Sequence, residues 1–440
     1  MIIVWFRKDL RLSDNPALYA AAKKGVVLPL YILDETLGAA SKWWLHHSLL
    51  ALEESGVPLI LRSGDPEKIL AQLLKETKAE AIYWNRCYEP ESIKRDIQLK
   101  KKFPVESFNG SLLHEPWEIL NDSEEFYKVY THYWKKSLKL DKIEKPLPKP
   151  QVRWAKGVRT EKLSSWKLLP THPNWASKFD SFWEIGEEAA QKKLRSFIST
   201  SLKAYGHDRD FPAIVGTSRL SPHLHFGEIS PRQIWHAAPH ASKFLSEIGW
   251  REFSYYLLYH FPKLPTAPFR PEFAKFPWKK NGKALKAWHQ GKTGYPIVDA
   301  GMRELWSTGW MHNRVRMIVA SFLIKDLLQP WQEGAAWFWD TLVDADLANN
   351  SASWQWVAGS GADAAPFFRI FNPVLQGKKF DPDGTYIKRW VPELAKVPPK
   401  WIHEIWEAPE EIQALAKNYP SPIVDHEEAR KIALMAFQKL

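Results

Sequence analysis

Over the first hundred residues, short apolar runs alternate with stretches whose apolar positions recur every three or four residues. Ile2–Phe6, Val26–Leu33, Pro58–Leu61, Ala81–Trp84 and Val105–Phe108 read as buried strands. Between them, Ala17–Lys24, Lys42–Ser55, the segment opened by Asp65-Pro66, and Pro90–Lys102 have helical spacing. Asp14-Asn15-Pro16 and Asp65-Pro66 supply capping side chains followed by proline at an early helical position. Strands of this length separated by helices imply right-handed βαβ units and a parallel sheet covered on both faces. The pattern therefore predicts a five-stranded parallel α/β domain over residues 1–125.

From about Asp141 to Pro173 the pattern breaks down, and Lys142–Pro150 is rich in lysine and proline, as an extended connector is. A long interdomain linker is placed at 126–184. Beyond Glu184 the period is helical almost throughout: Glu187–Ala204, Pro231–Ala238, Ala241–His260, Val298–Thr308, Val315–Leu328 and Ala335–Leu342. Residues 185–440 are predicted to form an all-helical domain, so the fold class is α/β plus all-α.

Composition narrows the function. The 61 Lys and Arg against 50 Asp and Glu leave a net charge of +11, a balance that favours polyanions such as nucleic acid. A single cysteine, Cys87, excludes a disulfide framework and a cysteine-based zinc site, and suits a reducing compartment. Charge interrupts the apolar start too early for a signal peptide, and no run approaches the ~18 uncharged residues of a membrane span. A cytoplasmic, monomeric protein without membrane attachment or metal is expected. The 24 tryptophans are unusual, because a buried indole N–H needs a partner. So many imply an aromatic core, stacking surfaces or redox use.

Four segments carry candidate chemistry. Tyr205-Gly206 and Thr217-Ser218-Arg219-Leu220-Ser221-Pro222 place small hydroxyl residues before a proline, which suits a phosphate as well as a capped loop. Glu247, Trp250, Arg251 and Ser254 share one helical face, a poor core stripe but a good surface for stacking on a base and holding a phosphate. Asn313, Arg316 and Met317 share another. Asp344-Ala345-Asp346-Leu347-Ala348-Asn349-Asn350, followed by Trp354-Gln355-Trp356, reads as a polar site lined by aromatics. No P-loop, H-E-x-x-H or EF-hand loop is present, and no G-x-G-x-x-G follows the first strand.

Taken together, these segments resemble the photolyase/cryptochrome family along nearly the whole chain, nearest to its class I cyclobutane-dimer branch. The resemblance is carried by Trp5–Pro16, Gly216–Pro222, Trp250–Phe253, Lys292–Asp299, Ser307–Arg314 and Trp354–Trp356, in that order. It implies FAD in the helical domain, with Tyr205 and Thr217, Ser218, Arg219, Leu220 and Ser221 on its phosphates and ribityl chain. It puts Asp344, Ala345 and Asp346 at the flavin's polar edge, Arg316 beside Asp344, Asn350 near N5, and Phe244 against the cofactor.

The implied activity is light-driven repair of cyclobutane pyrimidine dimers by electron transfer from excited reduced FAD to a lesion flipped out of the duplex. Extrusion is the general solution for enzymes, photolyases included, whose target base is out of reach inside a duplex. The DNA-facing set implied is Glu247, Trp250, Arg251, Asn313, Arg314, Met317 and Trp356, with Glu247 hydrogen-bonding the base edge. Relatives that repair (6-4) lesions have histidines at the positions of Asn313 and Met317. Neither is histidine here, which argues for the cyclobutane lesion. Trp354, Trp331 and Trp278 resemble the family's electron-hopping chain. A second antenna chromophore of folate or deazaflavin type is left open, with walls expected at Asp34–Lys42 and Trp84–Glu89. The alternatives are a cryptochrome-like blue-light sensor and a basic DNA-binding module, the latter leaving the Asp344–Asn350 cluster unexplained.

Overall fold

Five strands, β1 (Ile2–Phe6), β2 (Val26–Leu33), β3 (Ile60–Ser63), β4 (Ala81–Asn85) and β5 (Val105–Phe108), pair in parallel in the order β3-β2-β1-β4-β5. They belong to a computed structural model that describes residues 1–33, 37–140, 143–364 and 368–440. β1 is buried at every position because it is flanked on both edges, Ile3 facing Leu28 of β2 and Ile82 of β4. Helices α1 (Pro16–Lys24), α2 (Ala39–Glu54), α3 (Pro66–Thr77) and α4 (Pro90–Lys102) fill the intervals. Both anticipated caps form: Asn15 accepts from the Leu18 amide at 3.1 Å and Asp65 from the Glu67 amide at 2.9 Å. Ile3, Trp5, Leu28, Leu30 and Trp84 pack with Ile69, Leu70 and Leu73 of α3 and Leu99 of α4. Truncating one such side chain to alanine typically costs about 2–5 kcal/mol.

Two features of this half depart from expectation. The third strand begins at Ile60 rather than Pro58, where its parallel pairing with Leu30 of β2 starts. The linker is also not merely extended. Arg153–Trp154 (β6) pairs in parallel with Val26 and Val27 of β2, and Leu147 exchanges two hydrogen bonds with Asp14, at 2.8 and 3.0 Å.

The described chain divides into two compact units, each built from segments distant in sequence. One comprises Met1–Thr200, Ser218–Pro262 and Val343–Ala348. The other comprises Ser201–Thr217, Lys263–Leu342 and Asn349–Leu440. In the first unit the Ser242–His260 helix packs on the Tyr130–Ser137 helix. Gly249 makes this possible, because a Cβ there would meet the Tyr130 hydroxyl at 2.6 Å and the Trp134 ring at 2.7 Å.

In the second unit Asp299, buried on the Pro296–Thr308 helix, organises the Lys292–Asp299 segment. It accepts from the Thr293 amide and hydroxyl, both at 2.7 Å, from the Gly294 amide at 3.0 Å and from the Tyr419 hydroxyl at 2.6 Å. The helix expected over Val315–Leu328 is interrupted. It runs from Asn313 to Ser321 and widens into a π-turn over Phe322–Asp326, which holds the buried Lys325 and Asp326. Among the described residues no helix is long and apolar enough to cross a membrane.

Candidate functional site

In the first unit the chemistry collects around Asp346, which is only 5 % exposed. The Tyr255 hydroxyl donates to its Oδ2, and His225 Nδ1 lies 3.9 Å from the same oxygen, at ion-pairing distance. The loop following β1 contributes Lys8, paired with Glu89 from the loop following β4. The sheet order reverses between β1 and β4, and their carboxyl ends form the crevice in which α/β sheets keep their chemistry. Burial alone would push the Asp346 carboxyl up. His225, Lys8 and Arg251 more than offset it and hold the group well below the usual carboxylate range. Asp346 is thus a carboxylate kept ionised in a water-poor setting. Asp344 and Ala345 beside it are also buried.

The Ser218–Ser221 loop belongs to the same unit. Arg219 has a left-handed backbone, φ 50°, an uncommon conformation for a side chain of its size. Lys193, on the Glu187–Thr200 helix, is held below the ordinary lysine range by burial and then by the positive charge of Arg219. Two cations that repel one another beside hydroxyl residues form a setting that an anion relieves. Phe244 is buried against Phe197 with ring centroids 4.7 Å apart.

The Ser242–His260 helix separates residues that the sequence pattern had grouped. Trp250 is half-buried and stacks on Tyr130 at 3.9 Å and 12°, so one indole face is already covered. Arg251 turns inward instead of presenting itself to a phosphate. Its guanidinium donates to the Ser111 carbonyl at 2.9 Å and to Glu252 Oε1 at 3.1 Å, and lies 4.8 Å from the Tyr255 ring, with 11 % of the side chain exposed. Its expected DNA-facing role is therefore corrected to an internal brace. Helical spacing places a residue on a face but does not reveal that the neighbouring carbonyl and carboxylate will capture the guanidinium. Glu247 is half-buried on the same helix.

In the second unit, Asn350 and Trp354 lie one turn apart on the Leu347–Ala358 helix and both meet the Trp331–Thr341 helix. Asn350 Nδ2 donates to the Ala335 carbonyl at 3.0 Å. A carbonyl accepts only, so this bond fixes which end of the amide faces Ala335. Trp354 packs against Phe338 at 4.9 Å and Trp288 at 6.3 Å. Trp331 is buried at the start of its helix, and Trp278 packs on Phe276 at 4.3 Å. Among the described residues no ring contact links Trp354, Trp331 and Trp278 directly.

The Asn313–Ser321 helix begins with His312, whose Nδ1 accepts from the Arg314 amide at 3.2 Å. Asn313 is exposed, and Arg314 and Met317 are half-buried neighbours, with Arg314 Nη1 3.8 Å from the Met317 sulfur. Arg314 also pairs with Asp210 at 2.7 Å and sits 4.4 Å from the Phe380 ring. Arg316 donates through Nε to the Met311 carbonyl at 2.8 Å. Trp356 is half-buried, its Nε1 donating to the Asp363 carbonyl at 3.1 Å. Tyr205 is buried, with the Arg209 guanidinium 5.3 Å from its ring, and Thr217 is half-buried.

Of the two walls expected for an antenna pigment, residues 34–36 of the first lie outside the described residues. In the second, three side chains meet the segment after β1 or β1 itself: Trp84 meets Trp5 at 5.6 Å, Asn85 donates to Asp9 and to Asn15, and Glu89 holds Lys8. Sequence reasoning did not single out Tyr255, His225, Lys8 or Lys193. Their only signal was position, Tyr255 one turn after Arg251 and Lys8 just past β1, and neither spacing implies a carboxylate partner so remote in sequence.

Comparison with known proteins supplies the remaining context. The DNA photolyase family matches residues 2–151, and the FAD binding domain of DNA photolyase matches residues 244–439. The chain is 52% identical over 465 residues to the deoxyribodipyrimidine photo-lyase of Agrobacterium fabrum, covering 99% of this chain and 97% of that protein. It is 39% identical to the Escherichia coli deoxyribodipyrimidine photo-lyase (99% and 98% covered), and 38% identical to Arabidopsis thaliana cryptochrome-2 (99% and 78%). Among solved structures, a bacterial class III photolyase from Agrobacterium tumefaciens superposes with a TM-score of 0.96 at 52% identity, covering 100% and 97% of the two chains. An archaeal photolyase from Sulfolobus tokodaii, described with two FAD molecules, superposes with a TM-score of 0.85 at 31% identity and full coverage of both chains.

Proposed function

Because the chain belongs to the photolyase/cryptochrome family, we propose that it is a light-driven DNA-repair enzyme that binds FAD and splits cyclobutane pyrimidine dimers as a monomer. The relative of solved structure at 52% identity is a class III photolyase, which supports that class as a second reading beside the class I branch. In this reading residues 1–125 form an antenna-type α/β domain, 126–184 the linker, and 185–440 the catalytic domain. A second chromophore of folate, deazaflavin or flavin type is assigned to the first of these.

The observation that carries the reading is the ionised, buried carboxylate of Asp346, supported by Tyr255, His225 and Lys8. Such a group suits the N–H-bearing edge of a flavin. Lys193 and Arg219 beside Ser218–Ser221 likewise suit its pyrophosphate. Tyr205, Thr217, Phe244, Asp344, Ala345 and Arg316 complete the set that would hold FAD. When bound, FAD supplies the excited-state electron that opens the dimer.

The protein's own groups do the rest. Asn350 Nδ2 is committed to Ala335, so its Oδ1 is the end that accepts a hydrogen bond from an N–H presented to it. Trp250 and Trp356 offer indole faces to the flipped bases, Trp250 by the face that Tyr130 leaves uncovered. Glu247 accepts from a base edge, and Asn313, Arg314 and Met317 line the approach. With no histidine at 313 or 317, no imidazole proton shuttle stands there, which favours the cyclobutane lesion. Trp354, Trp331 and Trp278 relay reducing electrons inward from the surface.

The test is direct. Purified holoprotein with fully reduced flavin should restore monomer absorbance to dimer-containing oligothymidylate under blue light and not in the dark. Extracted chromophores should include FAD. Flavin without turnover would instead favour a light sensor, a reading the Arabidopsis cryptochrome similarity supports.

A further inference from the structure

We propose that Tyr255 is a positioning residue for Asp346: its phenolic O–H orients the carboxylate that meets the flavin. The inference deepens the reading above and rests on the flavin-facing role given there to Asp346.

Tyr255 lies on the Ser242–His260 helix, one turn after Arg251, and is 4 % exposed. Its ring sits between the Arg251 guanidinium, 4.8 Å from the centroid, and the Tyr88 ring, 6.3 Å away at 82°. Arg251 is fixed in turn by Ser111 and Glu252. The tyrosine is thereby clamped on two sides, and its hydroxyl reaches Asp346 Oδ2.

Among the described residues, the charged groups that act on Asp346 include Lys8, His225 and Arg251. Lys8, paired with Glu89, comes from the loop after β1, and His225 from the Ser221–His225 helix. Arg251, paired with Glu252, comes from the same helix as Tyr255. Lys8 and Arg251 act through Coulomb attraction, which falls off slowly with distance and depends little on angle, whereas His225 contributes through its side-chain hydrogen bonding as well as its charge. Lys8 and Arg251 favour the ionised carboxylate without selecting an orientation for it. A hydrogen bond is directional, weakening steeply below ~120°. The phenol is a rigidly held donor aimed at Oδ2, so it helps to set the orientation of the carboxylate.

The sign of the pH effect follows. The folded-state titration of Asp346 is depressed, so what its charge contributes is present above the unfolded value and lost as pH falls through the folded one. Removing the phenolic O–H raises the folded value, and the loss begins at a higher pH.

The experiment follows FAD release from full-length holoprotein by flavin fluorescence across pH, for wild type, Y255F, D346N and the double variant. Y255F should weaken FAD retention on the order of tenfold at pH 7, the scale of one hydrogen bond to a charged acceptor. It should also move acid-induced release to higher pH. The double variant should lose no more than D346N alone. Should Y255F not fold, 3-fluorotyrosine at position 255 serves instead. It is a stronger donor of nearly the same shape and should move release to lower pH, a reversal that a purely packing role does not produce. If D346N retains FAD as the wild type does, the flavin-facing role of Asp346 falls and the inference with it. If D346N loses FAD while Y255F releases it with the wild-type pH profile, or fluorotyrosine leaves that profile unmoved, the Tyr255 inference alone is overturned.

Discussion

Gly334 and Trp354 are in such close contact that a Cβ at residue 334 would stand 2.1 Å from the indole Cη2. The Trp331–Thr341 helix accepts the indole only because that position carries no side chain. Leu323 is also near, 2.7 Å from the same point, so the ring has little room to yield. G334A should therefore displace Trp354 from Phe338 and Trp288 and cost about 1–3 kcal/mol, the usual scale of overpacking, read from a denaturant midpoint. It should also slow photoreduction of oxidised FAD while sparing repair by pre-reduced enzyme, as W354F should. Equal losses in both assays would refute the electron-relay role.

The Arg314–Asp210 pair sets a second expectation. Each side chain retains some exposure, 19% and 34%, so the pair is a modest one and an incoming phosphate competes with Asp210 for the guanidinium. D210N should tighten binding to DNA of any sequence. R314A should weaken it and reduce the slope of log K against log salt by about 0.9, one phosphate contact on duplex DNA. An unchanged slope in R314A removes Arg314 from the interface.

Lys325 gives the fold a pH signature. Its ammonium donates to the Arg369 carbonyl and lies 4.7 Å from the Phe368 ring. Burial, then Arg369, outweighs the attraction of Asp326, and the group is pushed down to about 7. A depressed folded value means stability that is complete above the unfolded lysine range and declines as pH falls toward 7. K325M should remove this slope between pH 10 and 7. At pH 6 it should be neutral or more stable, by on the order of 1–4 kcal/mol. Urea midpoints at three pH values decide it, and a slope that persists in K325M assigns the effect to another group.

The Asn350–Ala335 bond predicts the behaviour of a nearly isosteric change. In N350D an ionised oxygen faces the Ala335 carbonyl, acceptor against acceptor, and about 1–3 kcal/mol should be lost at pH 7. Protonating the new carboxyl restores a donor, so the deficit should shrink on acidification. A deficit independent of pH would mean that the amide nitrogen does not make this bond.

Much of the α/β half was legible in the sequence because its information is local. β1, β2 and β5 appear at their predicted bounds, and both capping residues accept the bonds that their type and place imply. Where long-range contacts intervene, the pattern misleads. Arg153–Trp154 has no strand signal of its own and is a strand only because β2 offers an open edge at Val26 and Val27. The π-turn at Phe322–Asp326 is likewise hidden in a continuous helical period.

The sequence by itself determined the strand and helix alternation, the family resemblance and the candidate positions Asp344, Asp346, Asn350, Trp354 and Trp356, because periodicity and motif order survive without knowledge of partners. Only the tertiary structure decided that Arg251 turns inward to Glu252 and that Tyr255 and His225 converge on Asp346. Charge and donor groups act through space. Which carboxylate a distant side chain meets is settled when apolar burial brings remote segments together, and no local spacing encodes that meeting.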